Sequence, residues 1–320
     1  MLNDQQETAK NLIMDWWDHK TDTKQVFVLA GYAGTGKTFL VRHIVENEME
    51  LPDNKVAYVA PTGKAASVLI QRGAKDAITI HKLIYNRVET EYKTTINGKE
   101  VKSKKTEFIK KPSIPNYKLI VVDETSMVEE KIMEDLLSFG IPLLCCGDVG
   151  QLPPIGKDNG LLRNPDYNLT QIVRQAEGDA IVQLATMARE GRPLPIGNYG
   201  NVIVANRDLI SENNIKNILM KADQILAGTN KTSYSINTKM KEYLGMNKNE
   251  INENEKVICL MNNWDIVLGE DYSLVNGIIG YVKKFEIKDD ALSLGVMDFK
   301  PDFLDEVTEN IVFDSSVFKT

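Results

Sequence analysis

The sequence predicts an α/β protein whose first domain is a parallel sheet with helices on both faces. Three observations carry that prediction. Short aliphatic runs closed by glycine or acid recur along the first half, each followed by a stretch of helical periodicity. Gly31-Tyr32-Ala33-Gly34-Thr35-Gly36-Lys37-Thr38 fits G-x-x-x-x-G-K-[ST] between one such run and its helix. The rhythm then breaks at Asn97-Gly98, a two-residue hairpin signal between β-prone arms.

Taken in order, residues 4–18 place Ala9, Leu12, Ile13, Trp16 and Trp17 at three- and four-residue spacings, which predicts a helix. Both tryptophans read as helix packing. Val26-Phe27-Val28-Leu29-Ala30 reads as a buried parallel strand, followed by a glycine-rich turn and a helix over about 37–48. Val56–Val59 repeats the pattern, with a helix over about 63–71. Leu119-Ile120-Val121-Val122 is the next strand, with a helix near 129–138. Pro142–Cys146 is another, closed by Gly147-Asp148.

Beyond Arg192, Pro193, Pro195, Gly197 and Gly200 mark a linker, and a second α/β pattern begins near Val202. Gln224–Gly228 reads as a strand leading into a helix near 232–244. The segments Val257–Met261, Ile278–Val282 and Leu292–Met297 predict a small antiparallel sheet or barrel. The expected organisation is residues 1–192, with a basic hairpin inserted at 86–118, then 193–265, then 266–320.

Composition narrows the class. The 320 residues are 42% hydrophobic, enough to offset the entropy of ordering and exclude general disorder. No apolar run approaches the ~20 residues of a spanning helix, and the polar start is not a signal peptide, so a soluble, cytoplasmic protein without membrane association is expected. Three cysteines cannot frame a disulfide scaffold, and three histidines cannot build a zinc cluster at ligand spacing. The net charge is −7, yet residues 87–118 hold nine basic residues against four acidic ones. A surplus on a protruding hairpin favours a contact role over a merely solvated loop.

The chemistry concentrates in three places. In Gly31–Thr38 the glycines turn backbone N–H groups onto phosphate oxygens at the positive end of a helix. Gly31, Ala33, Gly34, Thr35 and Gly36 form the cradle, Lys37 bridges the β- and γ-phosphates, and the Thr38 hydroxyl ligates Mg²⁺. At the end of the aliphatic strand, Asp123 is placed to hold Mg²⁺ and Glu124 to polarise an attacking water, which points to hydrolysis. In Gly147–Pro154, Gln151 sits at a strand end where an amide can sense the γ-phosphate. ATP and Mg²⁺ are the expected cofactors.

These motifs, together with Ala60-Pro61-Thr62-Gly63-Lys64-Ala65-Ala66, Thr79-Ile80-His81-Lys82 and Val122–Met127, resemble those of superfamily 1B DNA helicases of the RecD-like and Dda-like kind. The resemblance implies a RecA-like P-loop domain with a hairpin insertion, a partial second RecA-like domain and a small SH3-like barrel. It implies that Gln6 reads adenine and that Arg174 reaches the γ-phosphate. It places Pro61, Thr62, Lys64, Thr79 and His81 on single-stranded DNA, and the hairpin where relatives carry a strand-separating pin, with Tyr92 and Phe108 as its stacking candidates. Ala227-Gly228-Thr229-Asn230 resembles the opening motif of the second RecA-like domain, which adds Thr229 and Asn230 to the DNA set. The implied activity is ATP-dependent 5′-to-3′ movement on single-stranded DNA and at junctions with duplex, in a phage or bacterial cytoplasm. The residues name no protein partner.

The family's late Gln-Gly and arginine motifs are absent, and no arginine follows Arg207. The chain therefore reads as a truncated helicase of weak activity. The alternative is a nucleotide-gated DNA-binding or loading module. A small-molecule kinase leaves the Ala60–Ala66 and Gly147–Pro154 motifs unexplained.

Overall fold

Alternation along its strands determines how the first half of the chain folds. In the structure, a computed structural model, the described residues are all except 1, 20–21, 97–98, 155, 173–178, 249, 262, 270–271, 275, 290–292 and 319–320. The chain divides into two compact units, residues 1–176 and 177–320.

In the first unit, α1 (Asp4–His19) precedes β1 (Val26–Gly31), α2 (Lys37–Asn47), β2 (Val56–Ala60) and α3 (Gly63–Gln71). There follow β3 (Ile78–Thr79), α4 (Ile80–Ile84), the paired β4 (Tyr85–Ile96) and β5 (Lys99–Lys110), and β6 (Leu119–Val122). Finally come α5 (Glu130–Leu137), β7 (Leu143–Gly147) and β8 (Tyr167–Leu169). Six strands form one sheet in the order β3-β2-β6-β7-β1-β8, every pair parallel. The expected parallel α/β domain is what forms.

Successive side chains leave a strand on opposite faces, so each aliphatic run fills two cores. Phe27, Leu29, Leu119, Val121, Leu144 and Cys146 pack with Ala9, Ile13 and Trp16 of α1 and Leu40, Val41 and Ile44 of α2. Val28, Ile120, Val122, Leu143 and Cys145 pack with Ile80, Leu83 and Ile84 of α4 and Met133 and Leu136 of α5. Trp16 is buried and its indole N–H donates to the Lys24 carbonyl at 2.7 Å, which satisfies the one polar atom it takes inside. Because all strands run one way, the loops that follow β1, β2, β6 and β7 open on the same edge, where ligands of open α/β sheets bind.

The hairpin pairs from Tyr85↔Lys110 to Ile96↔Lys99. Its expected turn, Asn97-Gly98, lies outside the described residues. At the root, Tyr85 Oη donates to Asp135 Oδ2 at 2.7 Å, and Lys110 Nζ donates to Ser138 Oγ at 3.0 Å. Lys111 Nζ caps the last carbonyls of α4, Lys82 O at 2.7 Å and Leu83 O at 3.0 Å. Both strands are thereby fastened to the sheet's helical layer.

The second unit holds α6 (Ala180–Arg189), the hairpin β9 (Gly197–Tyr199) with β10 (Val202–Val204), α7 (Glu212–Lys221) and α8 (Asn230–Leu244). Then come β11 (Lys256–Ile258), β12 (Asn263–Leu268), β13 (Tyr272–Leu274), β14 (Ile279–Asp289), β15 (Leu294–Pro301) and β16 (Thr308–Asp314). No strand forms over 224–228, where Leu226 is 88% exposed. An apolar run becomes a strand only where a neighbour pairs its backbone groups, and among the described residues no strand pairs with this one. The expected small antiparallel sheet does form: among the described residues β11-β14-β15-β16 pair in that order, with β12 and β13 as a second pair. Leu268, Ile278, Val282, Met297, Phe299 and Ile311 form its core.

Candidate nucleotide and nucleic-acid site

The turn after β1 is shaped by two left-handed glycines, Gly34 and Gly36, both with φ +83°. Gly36 is the residue before α2, so the free N–H groups of the first helical turn face the loop. Lys37 Nζ donates to Gly31 O at 2.6 Å and Tyr32 O at 3.0 Å, folding the ammonium across the loop's own carbonyls. Gln6 supports the loop from behind. It is 5% exposed, its Oε1 accepts from Asn3 N at 3.1 Å, and its Nε2 donates to Thr35 O at 3.1 Å.

β6 lies two strands from β1, and its carboxyl end places Asp123 opposite the loop. Thr38 Oγ1 donates to Asp123 Oδ2 at 3.2 Å. Burial pushes the Asp123 carboxyl above its ordinary range, against the opposing pull of the Glu124 N–H, the Thr38 hydroxyl and Lys37. Burial also raises Glu124, and the neighbouring Asp123 charge raises it further. Glu124 holds a left-handed backbone, φ 55° and ψ 41°, which a non-glycine residue adopts at a cost. Its side chain is hydrogen-bonded to Gln151, whose Oε1 accepts from Ser126 Oγ at 3.0 Å. Asn159 Nδ2 pins the turn that follows, donating to Thr125 O at 3.2 Å and Val128 O at 2.6 Å.

Ala33, Gly34, Gly36, Lys37, Thr38, Asp123, Glu124 and Gln151 thus line one cavity of about 350 Å³. Gly31, Thr35 and Gln6 do not line that cavity: the first two lie within the loop, and Gln6 supports it through the Thr35 carbonyl. A hydroxyl and a carboxylate at 3.2 Å make a hard-oxygen pair that fits Mg²⁺, an ion that keeps most of its waters and needs few protein ligands. Phe39, Arg42, Arg72 and Asp148 line the same cavity. Sequence reasoning missed them. Arg42 had a readable signal, lying one helical turn beyond Thr38. Arg72 had none, because it arrives from α3.

A second set lies at the carboxyl ends of β2 and β3. Thr62 caps α3, accepting from Ala65 N at 3.2 Å, and Thr79 caps α4, accepting from Lys82 N at 3.2 Å. Each hydroxyl keeps a proton for an incoming acceptor. Pro61 is half-buried in the turn before α3 and Lys64 is exposed within its first turn. His81 is half-buried, its ring centroid 5.4 Å from Tyr85 and 5.3 Å from Phe108. Burial lowers its pKa, favouring the neutral imidazole. Phe108 is 51% exposed at the hairpin root, leaving a ring face open. The side chain of Tyr92 and the whole of Arg174 lie outside the described residues. Thr229 and Asn230 are in the second unit, where Thr229 caps α8 by accepting from Thr232 N at 3.1 Å.

The profile of the AAA domain family matches residues 1–205. The chain is 28% identical over 214 residues to the ATP-dependent DNA helicase dda of Enterobacteria phage T4, covering 63% of this chain and 45% of that protein. It is 31% identical over 176 residues to the ATP-dependent RecD2 DNA helicase of Deinococcus radiodurans, covering 50% and 21% respectively. The chain therefore spans less than half the length of either relative. Among solved structures, a Pif1 helicase described for DNA unwinding at forked duplex DNA shares the fold, with a TM-score of 0.52 at 18% identity over 98% of this chain and 76% of that one.

Proposed function

Since the chain belongs to the AAA domain family and is similar to superfamily 1B DNA helicases, we propose that it couples ATP hydrolysis to movement along single-stranded DNA, 5′ to 3′ by the resemblance. The observation that carries the proposal is the convergence of Lys37, Thr38, Asp123, Glu124 and Gln151 on one cavity, with Thr38 Oγ1 3.2 Å from Asp123.

The loop's N–H groups and the α2 terminus take up the phosphates, and Lys37 exchanges its two loop carbonyls for phosphate oxygens. Thr38 and Asp123 would hold Mg²⁺, which supplies charge neutralisation at the β- and γ-oxygens. Glu124 orients a water and accepts its proton, a role that a carboxylate raised above its ordinary range by burial performs well. Gln151 holds Glu124 in place and is the amide within reach of the terminal phosphate. Thr62, Lys64 and Thr79 offer hydroxyl, ammonium and helix-terminal donors to DNA phosphates. Phe108 offers a stacking face, and the basic hairpin serves as a wedge at the junction.

The deciding measurement is ATP turnover by this chain with and without a poly-dT oligonucleotide, beside Lys37→Ala. DNA-stimulated turnover that vanishes in the variant supports the proposal. Nucleotide binding without stimulation by DNA supports a nucleotide-gated DNA-binding module instead.

A further inference from the structure

Two arginines line the phosphate cavity, and their engagements differ. Arg42 is held: its Nε lies 3.2 Å from Glu46 Oε1, and its Nη1 donates to the Arg72 carbonyl. Gly73 makes room for this contact, since a Cβ there would overlap the Arg42 guanidinium. The bond ties the end of α3 to α2, which fixes the Arg72 backbone beside the phosphate loop's helix.

The Arg72 side chain is exposed and makes no ion pair among the described residues. Its side-chain hydrogen bond runs from Nη1 to Thr38 Oγ1 at 3.4 Å. Thr38 is the hydroxyl that this type of loop directs at the divalent cation, and with Asp123 it would hold that ion, which would supply charge neutralisation at the phosphates. The guanidinium therefore stands on the Thr38 and Asp123 side of the cavity. It cannot stay against Thr38 when a divalent cation takes the same oxygen, because like charges at such separation repel strongly. Its nearby carboxylate, Asp123, acts on it only through charge and would itself turn to the cation, so the side chain is drawn to the new negative charge nearby, the terminal phosphate. A planar fork of N–H donors suits those oxygens.

We propose that Arg72 is a phosphate-binding residue acting within the first unit, which leaves Thr38 and closes on the terminal phosphate of a bound magnesium–nucleoside triphosphate. The inference rests on the nucleotide-site reading above and deepens it. It gives the first unit its own cation for distinguishing triphosphate from diphosphate.

The test is equilibrium binding, followed by fluorescence, of a mant-labelled β,γ-imido triphosphate and of mant-ADP with Mg²⁺. Wild type, Arg72→Gln, Arg72→Lys and Lys37→Ala are compared. Loss of a charge-assisted contact predicts that Arg72→Gln weakens triphosphate binding by about 10- to 100-fold and diphosphate binding by less than about threefold. Arg72→Lys should fall between. A thermal midpoint unchanged in Arg72→Gln would establish that the fold is intact, as expected for an exposed side chain. Equal weakening of both nucleotides, or of neither, overturns the assignment of Arg72 while leaving the site itself standing. Failure of wild type to bind either nucleotide in a Lys37-dependent way overturns the nucleotide-site reading, and the role of Arg72 with it.

Discussion

Gly36→Ala probes whether α1 props the phosphate loop from behind. Gly36 has φ +83°, and a Cβ there would lie 2.7 Å from Gln6 Nε2. The left-handed conformation costs an L-residue about 1–2 kcal/mol. To clear the new methyl, Gln6 must withdraw and give up its buried 3.1 Å bond to Thr35 O, about 0.5–1.5 kcal/mol more. The sum is about 1.5–3.5 kcal/mol. For a unit of this size, each kcal/mol moves the thermal midpoint by about 2–4 °C, so a fall of roughly 5–10 °C is expected by circular dichroism. A double-mutant cycle separates the parts. In a Gln6→Ala background the obstruction is gone, and Gly36→Ala should cost only the backbone share, leaving a coupling of about 1 kcal/mol. A Gly36→Ala protein within about 0.5 kcal/mol of wild type, or an equal cost in both backgrounds, would refute the reasoning.

Three further outcomes are expected. Glu124→Gln should lower turnover by about 10²- to 10⁴-fold while raising stability. The folded-state pKa of Glu124 is raised by burial, so its favourable contribution is present at low pH and lost as pH rises through that value. The stability advantage of the variant should therefore grow as pH rises above about 4.5 and level off above the raised value in urea titrations, and a constant gap would contradict it. His81 carries the opposite sign: burial depresses its pKa, so stability is lost as pH falls below about 6.5. His81→Phe keeps a ring against Tyr85 and Phe108 and should flatten that slope; a slope identical to wild type counts against the assignment. Tyr85→Phe removes the 2.7 Å bond to Asp135, whose two lysine neighbours remain. About 1 kcal/mol, or 2–4 °C, should go. The Tyr85 hydroxyl is the main cause that lowers the Asp135 pKa, so the deficit should shrink once pH falls below the carboxylate range.

The first unit was legible because its signals are local. Leu119–Val122 and Gly63–Gln71 form as the sequence reading placed them, since a four-residue aliphatic run and an alanine-rich helical stretch each carry their own period. Lys37, Thr38, Asp123, Glu124 and Gln151 were legible because each follows a strand, and parallel strands deliver their following loops to one edge. Arg72 was not, since its place depends on the Arg42 contact that ties the end of α3 to α2. Nor was the missing strand at 224–228. Leu226 has the composition of a strand residue, but whether it pairs is decided by a neighbour, which composition does not encode.

The alternation within β7 has a practical consequence. Cys145 and Cys146 are adjacent in the chain yet belong to different cores, one under α4 and α5 and the other under α1 and α2. Burial pushes the Cys145 thiol up to about 12 and Cys146 well above its ordinary value, so neither is reactive in the folded chain. Each becomes alkylatable only when its own side of the sheet opens. Pulsed labelling followed by peptide mass analysis would time the two events separately, with half-buried Cys259 as a reporter in the other unit. The fold carries a matched pair of clocks, one residue apart, for the order in which its two helical layers come off.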